Sequence, residues 1–231
     1  MTQKAYQSKM ESIKKMVFTL FLSSVVLGIC VFVLFVIFNF AGVFSIKTLP
    51  GTKYQNGFTY PGWQSIFFGM GEMMVQGYTE SSFNIVTCLA MFVPVLTLLV
   101  LQPLAITSFK KKGTNQKKAI YEIIMAVVIL VGGILLFNCD QLWIMNAKTT
   151  SEAATGSYAN YYKEYLVPAM NGEVSFAKTF YPTLLLIISL LAVLAKAGYG
   201  IALLYQKNFA KKYKNRIVTI DETGDMTTIH E

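Results

Sequence analysis

The stretch MVFTLFLSSVVLGICVFVLFVIFNF, residues 16–40, contains no charged side chain. A helix rising about 1.5 Å per residue needs roughly 20 such residues to cross ~30 Å of hydrocarbon. A soluble core helix has no use for an uncharged run of that length. Three further runs, Ile85–Phe109, Ile120–Asn138 and Phe180–Tyr205, repeat the pattern, and the polar stretches between them carry nearly all the charge. The sequence therefore predicts an all-α integral membrane protein, a bundle of four transmembrane helices. Composition agrees: 54% of residues are hydrophobic and 14% charged, against roughly 25% charged in soluble domains.

The cations lie where topology puts them. Lys4, Lys9, Lys14 and Lys15 precede the first run, Lys110, Lys111, Lys112, Lys117 and Lys118 fill the loop between the second and third, and Lys207, Lys211, Lys212, Lys214 and Arg216 follow the fourth. Only Lys47, Lys53, Lys148, Lys163 and Lys178 fall on the other side, beside Glu152, Glu164 and Glu173. By the positive-inside rule both termini and the short middle loop face the cytoplasm. The expected organisation is a cytoplasmic amphipathic segment at residues 1–15 and a membrane domain at 16–205. Within the latter the outer loops are 41–84 and 139–179 and the inner loop 110–119, and a cytoplasmic tail follows at 206–231. The net charge of +8 is read as orientation and attraction to anionic headgroups. Nucleic acid is not an expected partner, because no aromatic residues interleave with KKKGTNQKK to stack on bases.

The first run is too long for a signal-peptide core and lacks a small-x-small cleavage site, so it is expected to stay as an anchor. Cys30 and Cys88 lie inside runs and Cys139 stands alone at an outer helix end, so no disulfide is expected within the outer loops. The outer loops carry no N-x-Ser/Thr sequon, and nineteen lysines against one arginine suggest an AT-rich bacterial genome. The expected home is a bacterial plasma membrane.

Tyr6, Met10 and Ile13 at helical spacing suit an amphipathic helix at the inner interface that continues into the first run. In the first outer loop, Asn56-Gly57 sits between the arms of Thr52–Tyr60, a signal for a tight two-residue hairpin. Pro61-Gly62 ends it, and Trp63–Tyr78, apolar but broken by glycines, reads as an interfacial or partly re-entrant segment. In the second outer loop Ser151 is a candidate N-cap. After it Tyr158, Tyr161, Tyr162 and Tyr165 share one helical face, a candidate partner surface, since tyrosine is enriched at interfaces. Hairpin and helix are expected to pack together as a small extracytoplasmic cap. The tail reads as two β-prone arms, RIVTI and MTTIHE, around DETGD. Disorder is the preferred expectation there, because an isolated hairpin is marginal in water.

Lys196 is the one cation well inside a run, where a charge demands a partner; Glu122, at the same cytoplasmic end of the third run, is the candidate for an intramembrane ion pair, and snorkelling toward the cytoplasm is the alternative. Pro94 is a candidate hinge in the second run, where Gln102-Pro103 lies near the inner end. Glu72, Glu80 and Asp140 could form an outer acidic vestibule. Ser24 with Gly28, and Gly198 with Ala202, are small-xxx-small pairs that allow close helix approach. His230 is the sole histidine and no nucleophile has a base near it in sequence, so no catalytic residues, metal ligands or cofactor are expected.

The layout of four spans, inner termini, a β-prone first outer loop and a helical second one resembles the claudin-like tetraspan proteins in topology. That family's first loop carries a Gly-Leu-Trp element and two cysteines. Here Trp63 stands alone and the loop has no cysteine, so no residue or activity carries over. The functional expectation is a non-enzymatic membrane protein that works through association with a protein partner or as a homo-oligomer, with a channel or transporter subunit as the alternative. A membrane-impermeant thiol reagent should label a cysteine placed at Asn56 or Ser157 from outside intact cells; labelling from the cytoplasmic side alone would reverse the topology.

Overall fold

The structure, a computed structural model, describes residues 3–48, 58–68, 82–109, 115–143, 145, 174–213, 218–220 and 226–228. Its four long helices are α1 (Gln3–Phe38), α3 (Ile85–Ser108), α4 (Asn115–Phe137) and α5 (Phe180–Tyr213). All four are long and apolar enough to cross a membrane. A short helix, α2 (Gly62–Ser65), lies between the first two. The strands are β1 (Gly42–Thr48), β2 (Phe58–Pro61), β3 (Phe67–Phe68), β4 (Ser82–Phe83), β5 (Val174–Lys178), β6 (Val218–Ile220) and β7 (Met226–Thr228).

The pattern of exposure is the reverse of a water-soluble protein's. Val26, Ile29, Val33 and Ile37 form an exposed apolar stripe on α1, and Leu89, Phe92, Leu96 and Val100 another on α3, while Ser24, Gln102, Glu122 and Lys196 are buried. Soluble proteins almost never bury lysine and glutamate while turning leucine outward in continuous stripes. Hydrocarbon around the helices accounts for both observations.

The chain divides into two compact units, each taking one segment from every long helix. The first comprises Met1–Ile29, Thr97–Val127 and Leu191–Glu231. Its apolar core joins Ile13, Val17 and Phe21 of α1, Ala119 of α4, and Tyr199, Ala202, Leu203 and Phe209 of α5. Tyr6 and Met10 pack against this core, and Tyr6 stacks on Phe209 with ring centroids 5.7 Å apart. The amphipathic face of residues 1–15, expected at the headgroups, is therefore a helix–helix seam. Polar contacts extend it: Asn115 donates to Gln206 at 3.1 Å and Lys207 to Gln116 at 2.7 Å. Lys118, read from sequence as one of the orienting lysines, is 3% exposed and donates to the Phe109 carbonyl at 3.0 Å. A cation there satisfies an end carbonyl of α3 and complements its dipole. In the tail, β6 and β7 pair antiparallel, Val218 opposite Thr228 and Ile220 opposite Met226, so for these residues the expectation of disorder gives way to two paired strands.

The second unit comprises Cys30–Leu96 and Val128–Leu190. Its sheet has the order β2-β1-β5, antiparallel throughout, with Phe44 opposite Tyr60 on one side and Lys178 on the other. The Asn56-Gly57 turn and the tyrosine-bearing segment lie outside the described residues. The sheet gives the arm at Phe58–Tyr60 a partner in β1, and makes Val174–Lys178 a strand joining the second loop to the first. Neither β1 nor β5 was anticipated. Beneath the sheet Phe44, Tyr60 and Trp143 form a buried aromatic trio with centroids 4.8–5.7 Å apart, a spacing that favours offset and tilted rings. Trp63 is exposed.

Two side chains tie the helix starts in this unit to their surroundings. Asn84 accepts from the Thr87 backbone N–H at 3.1 Å while its amide donates to the Leu142 carbonyl at 3.0 Å, so one side chain caps α3 and ties it to the helical residues just after α4. Thr179 donates to the Gly42 and Val43 carbonyls beside the start of α5.

Gly132 sets the approach of three helices. A Cβ there would lie 2.5 Å from the Pro94 ring, 3.1 Å from the Ala90 carbonyl and 3.3 Å from Phe35. Gly198, from a small-xxx-small pair, behaves differently: its nearest atom would be Leu20 Cδ2 at 3.7 Å, ordinary contact. Gly132→Val should therefore lower the unfolding free energy of the purified protein by about 1–3 kcal/mol through overpacking. Gly198→Ala should leave it unchanged or raise it slightly, since alanine is the better helix former. Equal effects of the two in thermal unfolding would contradict the packing described.

Candidate functional site

Four helices bring one polar group each to a single point in the first unit. On α1, Ser24 and Gly28 are four residues apart and share a face; α3 supplies Gln102, α4 supplies Glu122 and α5 supplies Lys196. The Lys196 ammonium donates to Gln102 Oε1 at 2.6 Å, Glu122 Oε2 at 3.2 Å and Ser24 Oγ at 3.3 Å. The Ser24 hydroxyl in turn donates to Glu122 Oε2 at 2.7 Å. Lys196, Glu122 and Ser24 are fully buried and Gln102 is nearly so. Lys196 is thus turned inward, and snorkelling toward the cytoplasm is excluded by its geometry.

The chemistry of the set is well matched. An ammonium offers three donors and no acceptor, and here all three are spent on acceptors from three other helices. This also fixes the amide of Gln102, whose oxygen must face the ammonium. Gly28 makes the space: a Cβ there would meet Gln102 Oε1 at 2.7 Å and Lys196 Nζ at 3.1 Å. The Ser24/Gly28 pair therefore serves a polar contact, where the sequence suggested backbone approach alone. Three buried polar atoms around the cluster have no hydrogen-bond partner among the described residues: Glu122 Oε1, Gln102 Nε2 and the Tyr199 hydroxyl. Tyr199 lies three residues beyond Lys196 on α5, hence on the same face.

Asp140 is elsewhere, in the second unit. It is 4% exposed and lies 3.5 Å from Lys178, whose ammonium also donates to Asn138 at 3.4 Å and sits 4.1 Å from the centre of the Phe137 ring. A buried, paired aspartate is no vestibule acid. Glu72 and Glu80 lie outside the described residues, as do Tyr158, Tyr161, Tyr162 and Tyr165. Next to Asp140, burial and the neighbouring carboxylate push the Cys139 thiol up to about 12, which keeps it protonated and unreactive. The described cysteines are free. Pro94 lies within an unbroken α3 with its ring against Gly132, a packed position where the sequence offered a hinge. Among the described residues His, Cys, Asp and Glu gather in no group of three able to hold a metal ion.

Sequence reasoning put Lys196 beside Glu122 and missed the parts played by Gln102 and Asn84. Gln102, ahead of Pro103 near an inner helix end, carries no charge to single it out in the sequence. Asn84 stands just before an apolar run, the usual place of an N-cap, and that signal could have found it.

Fold and site together define a class: a protein with four helices suited to spanning a membrane, whose helix segments are joined by a buried lysine–glutamate pair. The chain matches no protein-family model, no curated protein and no solved structure.

Removing one member of a buried pair leaves an uncompensated charge and costs about 3–5 kcal/mol, whereas replacing both with uncharged groups is often neutral. Lys196→Met should therefore destabilise the purified protein by that order, and Lys196→Met with Glu122→Gln should recover most of the loss. A double variant as unstable as the sum of the single ones would show that the two groups act independently.

Proposed function

We propose that this is a non-enzymatic polytopic membrane protein that works through association with other membrane or surface proteins. The observation that supports this reading is how the charge inside the helices is used. Every donor of the Lys196 ammonium is engaged by the protein itself, so the ion pair ties helix segments together and presents no free charge to a passing solute. Such a clamp gives the unit a defined packing against which a partner can bind. The exposed apolar stripes, the sheet and the tail hairpin are the surfaces for association. A β-hairpin can add to a partner's sheet through main-chain hydrogen bonds.

One observation favours a second reading, a channel or transporter subunit. Transport sites gather several polar groups from different helices, and Ser24, Gln102, Glu122 and Lys196 converge from four. In this reading Asp140 and Pro94 contribute structure rather than a path, since one is paired and the other packed.

Purification of the full chain from its native membrane, with mass analysis of whatever stays bound, separates the two. The association reading expects a stoichiometric protein partner whose recovery falls when residues 214–231 are removed or when the exposed stripe of α1 is altered. A lone monomer or homo-oligomer that gives liposomes a selective ion flux, lost in the Lys196→Met, Glu122→Gln double variant, would replace it with the transport reading.

A further inference from the structure

The Lys196 cluster satisfies its ammonium and leaves its other polar atoms short. Lys196 has three protons and uses all three. Ser24 has one and spends it on Glu122 Oε2. Nothing remains on either group to serve Glu122 Oε1, the second oxygen of the same carboxylate, which is buried without a partner among the described residues. Gln102 is in the mirrored position: its oxygen accepts from the ammonium at 2.6 Å, while its Nε2, with two N–H donors, has no acceptor. The Tyr199 hydroxyl, one turn along α5 from Lys196 and on a side chain 0% exposed, is likewise without a partner.

Buried polar atoms in folded proteins are almost always paired, with protein or with ordered water, and each one left bare costs roughly 1–3 kcal/mol. The three atoms also specify what can serve them. Glu122 Oε1 needs a donor and Gln102 Nε2 needs an acceptor, while the phenol can do either. A metal cation would suit the carboxylate but would face the ammonium and the amide N–H groups. An anion would suit the amide but would face the carboxylate. An apolar guest would serve none of them. A small neutral molecule that donates and accepts at once serves all three.

We propose that Glu122, Gln102 and Tyr199 form a buried hydration site, in which water donates to Glu122 Oε1 and accepts from Gln102 Nε2 or the Tyr199 hydroxyl. The site keeps the Lys196–Glu122 pair ionised within the apolar helices, because the carboxylate is solvated on the oxygen the protein does not reach. Internal waters of this kind make two to four hydrogen bonds each, and Glu122 Oε1, Gln102 Nε2 and the Tyr199 hydroxyl are the partners offered here. Gly28 is part of the arrangement, since a side chain there would displace Gln102 and the ammonium from their present contact.

Water-edited solid-state NMR on the full chain in lipid bilayers tests the proposal. Magnetisation from water should reach Gln102 Nε2 and the Glu122 carboxyl carbon much faster than the side chain of Leu203, which is also buried in the first unit but apolar. Tyr199→Phe leaves every contact of the ammonium in place and removes one hydrogen-bonding position of the guest; it should slow the transfer to Gln102 Nε2 by roughly twofold or more. Transfer to Gln102 Nε2 no faster than to Leu203 would overturn the proposal. So would a rate that Tyr199→Phe does not change, or a glutamate carbonyl signature showing Glu122 protonated. A signal that follows the sodium or chloride content of the buffer would place an ion there and would overturn it as well.

Discussion

An ammonium group withdrawn from water must be met by acceptors in the right number and direction, and the first unit is organised around meeting that demand for Lys196. The cost of burying a lone charge is several kcal/mol or more even after relaxation. Neighbouring helices can lower it only by fixing their rotation about their own axes. Once Lys196 faces inward, Gln102, Glu122 and Ser24 must face it, and those three contacts set the rotation of α1, α3 and α4. The apolar core of Phe21, Ala202 and Leu203 has no such directional requirement. Apolar side chains tolerate many packings of similar energy, and helices in hydrocarbon gain little from burying leucine on leucine. Polar contact therefore supplies the specificity, and glycine supplies the proximity.

The second unit solves a related problem by other means. Its strands carry backbone groups that need partners, and the sheet pairs them across two loops far apart in sequence. The Lys178–Asp140 pair, with Asn138 and the Phe137 ring, pins the end of β5 to the end of α4. The Tyr181 hydroxyl, donating to the Leu34 carbonyl at 2.7 Å, ties the start of α5 to α1. These are local anchors at helix ends, whereas the Lys196 cluster acts in mid-helix.

The sequence shows the four helices because twenty apolar residues in a row have few alternative uses. Lys196 and Glu122 also stand out, as charges inside otherwise apolar runs. Gln102 and Ser24 do not, because neutral polar residues are common in such helices and their orientation depends on helix rotation, which tertiary contacts decide. The small residues are visible as pairs, but Gly28 and Gly198 have the same spacing signal and different surroundings, crowded and polar in one case and in ordinary apolar contact in the other. The sheet was the least legible part. β1 and β5 are short, and the pairing of Phe44 with Lys178 is a contact between segments more than a hundred residues apart, which no local pattern encodes. The arm at Phe58–Tyr60 carries a strand signal in its sequence, but its pairing with β1 is not written in any local pattern.

The central position of β1 has a consequence for how the protein is made. β1 is the middle strand, and its second neighbour, β5, begins at Val174. At translation rates of ~5–20 residues per second, β1 and β2 emerge on the order of ten seconds before that neighbour is synthesised. During the interval one long edge of β1 offers unsatisfied backbone donors and acceptors to any extended chain nearby. The nascent protein thus passes through a stage in which α1, α3 and α4 exist and the sheet is incomplete. Arrival of β5 together with α5 closes the sheet edge and delivers Lys196 in the same step of biosynthesis.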